Sequence, residues 1–201
     1  MNTIIKKHPL LKTCDFWKEP VTIHVSDFSE VAAKDFAKQM SDAQNTGQPV
    51  VPVVISSPGG AVYSLLSMID TIKASPIPVA TIAMGRAMSC GSVLLSCGTP
   101  GYRFVGEYAQ VMVHEVAAGA SHDKVEEIQA TVLQAVNLNK ILFSILDKNS
   151  NKPSGYFHDI MHDKCHADWF LSADEAIQHG LADHKRIPSL HVTVGVTWDF
   201  K

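Results

Sequence analysis

The stretch VVPVVISSPGG, residues 50–60, decides the fold class. Residues 50–55 are a continuous apolar run rich in β-branched side chains, which is typical of a strand covered on both faces. Pro52 removes one ladder donor and so marks the beginning of that strand. Apolar residues at helical spacing then follow from Val62 to Ile72 and stop before Pro76, which predicts a helix directly after the turn.

The same alternation recurs on both sides of this stretch. Upstream, Val21 to Val25 reads as a strand, and Glu30 to Asn45 as a helix that buries one apolar face. Downstream, a β-like run from Val79 to Ala83 precedes a helical run from Val93 to Ser96. Strands that alternate with helices predict parallel β-α-β crossovers, and hence an α/β fold. With 201 residues, 46% of them apolar, the chain is long enough for one domain with a sizeable core.

Composition excludes several classes of function. A net charge of −3 gives no electrostatic footprint for binding nucleic acid. No apolar stretch approaches the ~20 residues of a membrane span, and Met1 to Leu11 lacks the hydrophobic segment of a signal peptide. We therefore expect a soluble, cytoplasmic protein without a membrane partner. Four cysteines fit a reducing compartment, and we read Cys90 and Cys97 as small core residues.

Two turns between a strand and a helix carry candidate chemistry. Ser89 lies among small residues in MGRAMSCG, residues 84–91, where a strand-to-helix turn can hold a serine hydroxyl outward as a nucleophile. The glycine pair of SPGG can bring backbone amides close to a ligand, as an oxyanion hole requires. These residues alone leave two alternatives open: close packing around Ser89, and an ordinary glycine turn at SPGG.

A histidine and an aspartate complete a candidate triad. His114 lies at the end of a short apolar strand in MVHE, and Asp168 begins DWFLSADEA. A serine hydroxyl becomes a good nucleophile when an imidazole removes its proton and a carboxylate orients that imidazole. The order serine, histidine, aspartate along the chain is no obstacle, because a triad is defined by its geometry.

Four ordered blocks, SPGG, GRAMSCGS, MVHE and DWFLSADEAIQHGLAD, resemble the Clp protease proteolytic subunit family over Val21 to Asp183. The resemblance implies the ClpP/crotonase fold: repeated β-α-β units with a protruding helical handle. It implies a serine endopeptidase in which Ser89 is the nucleophile, His114 the base and Asp168 the orienting acid. The backbone amides of Gly60 and Cys90 would form the oxyanion hole, with neither cofactor nor metal.

The resemblance also implies self-association and partners. Members assemble into a ring, expected here to be heptameric, whose chamber receives unfolded or delivered polypeptides from an AAA+ unfoldase. Whether two rings stack is left open. We divide the chain into a divergent N-terminal segment (1–20), a peptidase domain (21–184) and a C-terminal tail (185–201).

The predicted handle helix covers about residues 121–149, with Asp123 and Glu126 in a capping-box relation. Its apolar residues are too many for one narrow packing seam: Val125, Ile128, Val132, Leu133, Val136, Ile141, Leu142 and Ile145. Burial by a second subunit explains this surplus. An ordinary core helix is the alternative.

The sequence departs from the family pattern at two places. Family members usually carry a proline two residues after the base histidine, whereas here Glu115 and Val116 follow it. Members also commonly place an acidic residue and an arginine before the triad aspartate, which pair across the interface between rings. His166 and Ala167 occupy those places here, so the usual ionic link between rings is absent.

Three other functions remain to be weighed. A Ser-Lys peptidase of the signal-peptide-peptidase type shares the fold and would use Lys140 as its base. A crotonase-like acyl-CoA enzyme would need no serine nucleophile, and a non-catalytic ring subunit would need no triad. A zinc site on His158, His162, Cys165 and His166 is disfavoured, because the segment lacks a paired C-x-x-C knuckle.

Overall fold

A mostly parallel sheet of seven strands organises the part of the chain that the computed structural model describes, residues 19–117 and 124–189. Its strands are β1 (Ile23–Val25), β2 (Val51–Ser57), β3 (Val79–Met88), β4 (Arg103–Val105), β5 (Gln110–Val113), β6 (Trp169–Leu171) and β7 (His184–Lys185). The helices are α1 (Glu30–Gln44), α2 (Val62–Lys73), α3 (Cys90–Ser96), α4 (Val125–Asn149), α5 (Tyr156–Asp163) and α6 (Ala173–Gln178).

The strand order confirms the predicted crossovers. Five strands follow the order β1-β2-β3-β4-β7, and every pairing along this path is parallel. Helices α1 and α2 connect β1 to β2 and β2 to β3, as the alternating pattern predicts. Six of the seven residues of β2 are buried or half-buried, and Pro52 is its second residue. The α/β fold class is therefore confirmed.

The helix boundaries follow local signals in the sequence. Helix α1 begins after Ser29, whose hydroxyl oxygen accepts a 3.1 Å hydrogen bond from the amide of Ala32. Its buried face includes Phe36 and Met40, as helical spacing predicts. Helix α6 begins with a capping box in which Ser172 and Glu175 satisfy each other's backbone amides.

Strand β3 is longer than its apolar run and serves two neighbours. Residues 81–83 pair with β4, whereas Arg86 to Met88 pair with β5. The predicted β-like run ended at Ala83, and the next three residues, Met84, Gly85 and Arg86, are exposed in the structure. The backbone pairing continues through them and places β5 beside the end of β3.

Helix α4 extends away from the core at its N-terminal end. Its buried residues, Leu138, Leu142, Phe143, Leu146 and Asp147, all lie in the C-terminal half of its 25 residues. Val125, Val132, Leu133 and Val136 are exposed. The predicted handle helix with an apolar surplus is present, and these four side chains of the surplus are exposed within the described chain.

The predicted start of the handle helix and the predicted end of the domain both lie near the ends of the described ranges. Asp123 of the predicted capping box lies outside the described residues. Lys124 occupies the N-cap of α4 and makes no side-chain capping hydrogen bond. Strand β7 pairs with β4 and runs one residue past the predicted domain end at 184.

Arg103 and Asp183 form a largely buried ionic clasp between β4 and the chain after α6. Arg103 Nε donates to Asp183 Oδ2 over 3.0 Å, and its Nη1 donates to the carbonyls of Asn149 and Gly180 over 2.9 Å each. The side chains are 8% and 20% exposed, respectively. Burial acts to raise the pKa of Asp183, but the hydrogen bonds and charge of Arg103 outweigh it and hold that pKa below its usual value.

Candidate active site

Ser89 occupies a strained turn between β3 and α3. Its φ of 56° and ψ of −119° are unusual for a residue other than glycine. The amide of Ser89 donates a 2.8 Å hydrogen bond to the carbonyl of Met112 in β5, which anchors the turn to the sheet. A sharp strand-to-helix turn of this kind presents the serine hydroxyl at the carboxyl end of the sheet. The sequence predicted this turn from its small residues.

The SPGG turn after β2 lies directly against Ser89. The backbone of Gly59 has a φ of +108°, and a Cβ built on it would lie 2.6 Å from the Cβ of Ser89. Gly60 packs against Phe28, where an added Cβ would lie 2.9 Å from the Cβ of Phe28. Side chains at either position would displace the neighbouring chain, so close approach explains both glycines.

His114 reaches Ser89 from the end of β5. Met88 pairs with Met112 in the parallel β3–β5 ladder, so the residues that follow both strands leave the same edge of the sheet. His114 Nε2 lies 2.7 Å from Ser89 Oγ, a normal hydrogen-bond distance. The structure thus brings together the serine and the histidine that the sequence singled out.

Asp168 lies just beyond the end of the antiparallel ladder between β5 and β6. Val113 pairs with Trp169, and the next residues outward are His114 and Asp168. Asp168 Oδ1 lies 3.5 Å from His114 Nδ1, and the aspartate side chain is 53% exposed. This separation is too long for a strong hydrogen bond, although such contacts are often loose without substrate.

A family comparison adds to this geometry. The family model described as Clp protease matches residues 16–185, which is most of the chain. The chain belongs to the Clp protease family. The α/β architecture, with its parallel sheet and handle, agrees with the fold expected of the Clp family, and its enzyme class is that of a serine-type endopeptidase.

Curated relatives agree with this assignment. The chain is 34% identical over 84% of its length to ATP-dependent Clp protease proteolytic subunit 1 of Chlamydia trachomatis serovar D, and covers 83% of that protein. It is 33% identical over 71% of its length to the ATP-dependent Clp protease proteolytic subunit of Deinococcus radiodurans, covering 67% of it. Subunit 3 of Parasynechococcus marenigrum is 30% identical, with 79% of this chain and 78% of that protein aligned.

A cavity of about 290 Å³ opens beside the Ser89 hydroxyl. Both predicted oxyanion residues, Gly60 and Cys90, line it together with Ser89 and His114. Apolar side chains of α3 and α4 also line it: Val93, Leu142, Phe143 and Leu146. The cavity therefore places apolar space, large enough for a side chain, beside the Ser89 hydroxyl.

Cys90 adjoins the nucleophile but is suited to packing. The side chain is buried, and its Sγ contacts the carbonyl of Gly60 at 3.2 Å. Burial raises the pKa of the Cys90 thiol, so the reactive thiolate is disfavoured. Cys97 behaves alike, since burial raises its pKa to about 11. Cys90 agrees with its interpretation as a small core residue, whereas Cys97 is half-buried and packs against the core.

The base that the Ser-Lys interpretation requires and the four candidate zinc ligands do not line the cavity. Lys140 is exposed on α4 and is not among the residues that line the cavity, whereas its neighbour Asn139 is. A base lysine would need a desolvated position beside Ser89. Across residues 19–117 and 124–189, no three histidine, cysteine, aspartate or glutamate side chains converge as a metal site requires, the segment from His158 to His166 included.

Two contacts in the site were not predicted. Asn139 Oδ1 accepts a 2.7 Å hydrogen bond from the amide of Val116, the position at which family members usually carry proline. Glu115 Oε2 lies 3.0 Å from His166 Nδ1. The available signals were the departures from the family pattern. Val116 has a backbone N–H that proline lacks, and Glu115 and His166 can bond to each other.

Proposed function

We propose that this chain hydrolyses peptide bonds of unfolded or delivered polypeptides through Ser89, His114 and Asp168. The observation that carries the proposal is the 2.7 Å contact between Ser89 Oγ and His114 Nε2 beside an open cavity. Family membership supplies the reaction class, and the contact supports the roles of nucleophile for Ser89 and base for His114.

The chemistry follows from the positions of these groups. Ser89 Oγ attacks the carbonyl carbon of the peptide bond while His114 Nε2 takes its proton. Negative charge on the carbonyl oxygen is stabilised by the backbone amides of Gly60, in the turn packed against Ser89, and of Cys90, which directly follows Ser89. His114 then gives the proton to the departing amine, and water attacks the acyl-serine by the same route. Asp168 fixes the orientation of the imidazole and stabilises its charged form.

Labelling with a fluorophosphonate tests the nucleophile. Attack by Ser89 forms a bond from Oγ to phosphorus and releases fluoride, and we expect peptide mass spectrometry to locate the adduct on Ser89. The adduct should disappear in His114→Ala and persist in Lys140→Met. Loss in Lys140→Met comparable with that in His114→Ala would instead indicate a Ser-Lys peptidase. No adduct in the unmodified chain would favour a crotonase-like acyl-CoA enzyme or a non-catalytic ring subunit.

The proposed setting is an oligomeric chamber. Clp proteolytic subunits generally form rings and work with Clp ATPases, and we extend this to a heptameric ring served by an AAA+ unfoldase. Exposed apolar residues on α4, such as Leu133 at 69% exposure, support a subunit contact along the handle. One or two rings are both compatible with this surface.

Light scattering at low and high salt tests the chamber. An interface formed mainly by apolar burial should survive 1 M salt, where the Debye length falls to ~3 Å and exposed ion pairs weaken. We therefore expect the same large oligomer at both salt concentrations. A monomer under both conditions would exclude the chamber, and dissociation by salt would show that charged groups hold the subunits together.

We also propose a cytoplasmic location. Cys90, Cys97 and Cys165 all carry free thiols, which suits a reducing compartment. Within the described ranges, no helix combines the length and apolarity needed to cross a bilayer.

A further inference from the structure

Asp168 has little to hold it in place beside His114. Its side chain is 53% exposed, and within residues 19–117 and 124–189 the 3.5 Å approach to His114 is its one side-chain contact of hydrogen-bonding or ionic type. An exposed aspartate held by one long contact has freedom to rotate away from the imidazole. The orientation of His114 then depends on what fixes the backbone on either side of the pair.

Glu115 and His166 form a second bridge alongside this pair. Glu115 directly follows His114, and His166 precedes Asp168 by two residues. Their contact of 3.0 Å is shorter than the one it flanks. An ionised carboxylate only accepts hydrogen bonds, so Nδ1 of His166 must carry the proton in this bond. The bond can form whether the imidazole is neutral or charged.

The backbone around His166 reverses direction beside the end of β5, where the bridge forms. The β5–β6 pairing runs outward from Val111 and Leu171 to Val113 and Trp169, and both bridges lie just beyond its end. Cys165 and His166 have φ values of 54° and 60°, a left-handed conformation that reverses the chain after α5. The amide of His166 donates to the carbonyl of Met161 over 2.9 Å, which ties the reversal to α5.

We propose that Glu115 and His166 are positioning residues that hold Asp168 against His114, an inference that rests on the proposed function. The bridge clamps the chain after β5 to the chain before β6 where their backbone pairing has ended. It thereby limits the freedom of Asp168 without touching the substrate or the reacting atoms. It lies within one subunit, and its His166 stands where the family pattern places an acidic residue that pairs between rings.

The test compares substitutions that keep or remove the bridge while preserving the backbone. His166→Asn retains a side-chain amide donor, whereas His166→Gly removes the donor. Both residues tolerate the left-handed conformation better than alanine does. Glu115→Gln retains an acceptor, and Glu115→Ala removes it. Steady-state hydrolysis of a fluorogenic peptide by the full chain gives kcat and KM for each variant.

We expect kcat to fall about 10- to 100-fold in Glu115→Ala and His166→Gly, the size of effect that a small misplacement of a reacting group produces. KM should stay within about twofold, and His166→Asn and Glu115→Gln should recover most of the lost turnover. In an Asp168→Ala background, Glu115→Ala should cause no further loss, because the bridge acts through that carboxylate.

Contrary outcomes separate this inference from the proposed function. Unchanged kcat in both bridge-removing variants, or an equal further loss in the Asp168→Ala background, would overturn the positioning role. A raised KM at unchanged kcat would overturn it too, and would make Glu115 part of the substrate wall, since Glu115 also lines the cavity. Absence of any hydrolysis that depends on Ser89 would contradict the proposed function and the bridge together.

Discussion

Replacing Ser89 with alanine is expected to lower kcat for peptide hydrolysis by about 10⁶-fold, the loss seen when the nucleophile of a serine-protease triad is removed. His114→Ala should cost a similar factor, because Oγ and Nε2 are 2.7 Å apart and act as one unit. The double variant should therefore be no worse than either single variant. Losses that multiply would show that the two residues act independently.

The control for this experiment is a neighbouring serine. Ser92 also lines the cavity, but its hydroxyl donates a 2.7 Å hydrogen bond to the carbonyl of Ser89, so it is held within the first turn of α3. We expect Ser92→Ala to keep kcat within about tenfold of the parent chain. Full activity in Ser89→Ala, with Ser92→Ala inactive, would move the nucleophile to the second serine.

Replacing Arg103 with leucine is expected to lower the free energy of unfolding by about 3 kcal/mol, because it leaves the Asp183 carboxylate largely buried without its cation. The backbone carbonyls of Asn149 and Gly180 would lose their donor as well. Urea unfolding followed by circular dichroism, at one protein concentration, measures this loss. Arg103→Lys is the matched control, since it keeps the charge but cannot reproduce the forked contacts.

The effect of Arg103→Leu should depend on pH in a defined direction. The pKa of Asp183 is held below its usual value, so the paired carboxylate stabilises the fold above the unfolded-state pKa of about 3.9. That stabilisation is lost as pH falls through the lower folded-state pKa. In the variant, protonation relieves the unpaired charge. The difference in unfolding free energy should therefore narrow below about pH 4, and a difference that is constant with pH would contradict the ionic role.

The parts of the fold that the sequence predicted are those with periodic apolar patterns. The boundaries of β2 and α2 were close because residues 50–55 are continuously apolar and Val62 to Ile72 follow helical spacing. The second half of β3 was missed because Gly85 and Arg86 have no such pattern, and pairing with β5 holds them extended. Helix α6 had a usable signal in its capping box, serine at 172 and glutamate at 175.

The candidate site was predictable as a set of residues but not as a set of contacts. Ser89, His114 and Asp168 stand in ordered sequence blocks, and the structure places them side by side. Contacts between polar residues that are far apart in the sequence could not be inferred from sequence blocks or periodic patterns. Arg103 and Asp183 are 80 positions apart, and Glu115 and His166 are 51 apart. Such pairs depend on strand register, which is fixed by the packing of the whole sheet.

The contact between Gly59 and Ser89 restricts how this chain can evolve. Every missense change in a glycine codon introduces at least a Cβ, and at position 59 that atom would lie 2.6 Å from the Cβ of Ser89. A conservative change to alanine thus meets the same obstacle as a drastic one. A substitution at position 59 can be accommodated only if the turn that holds Ser89 shifts at the same time. The two turns are inherited as a unit, although 30 positions separate them.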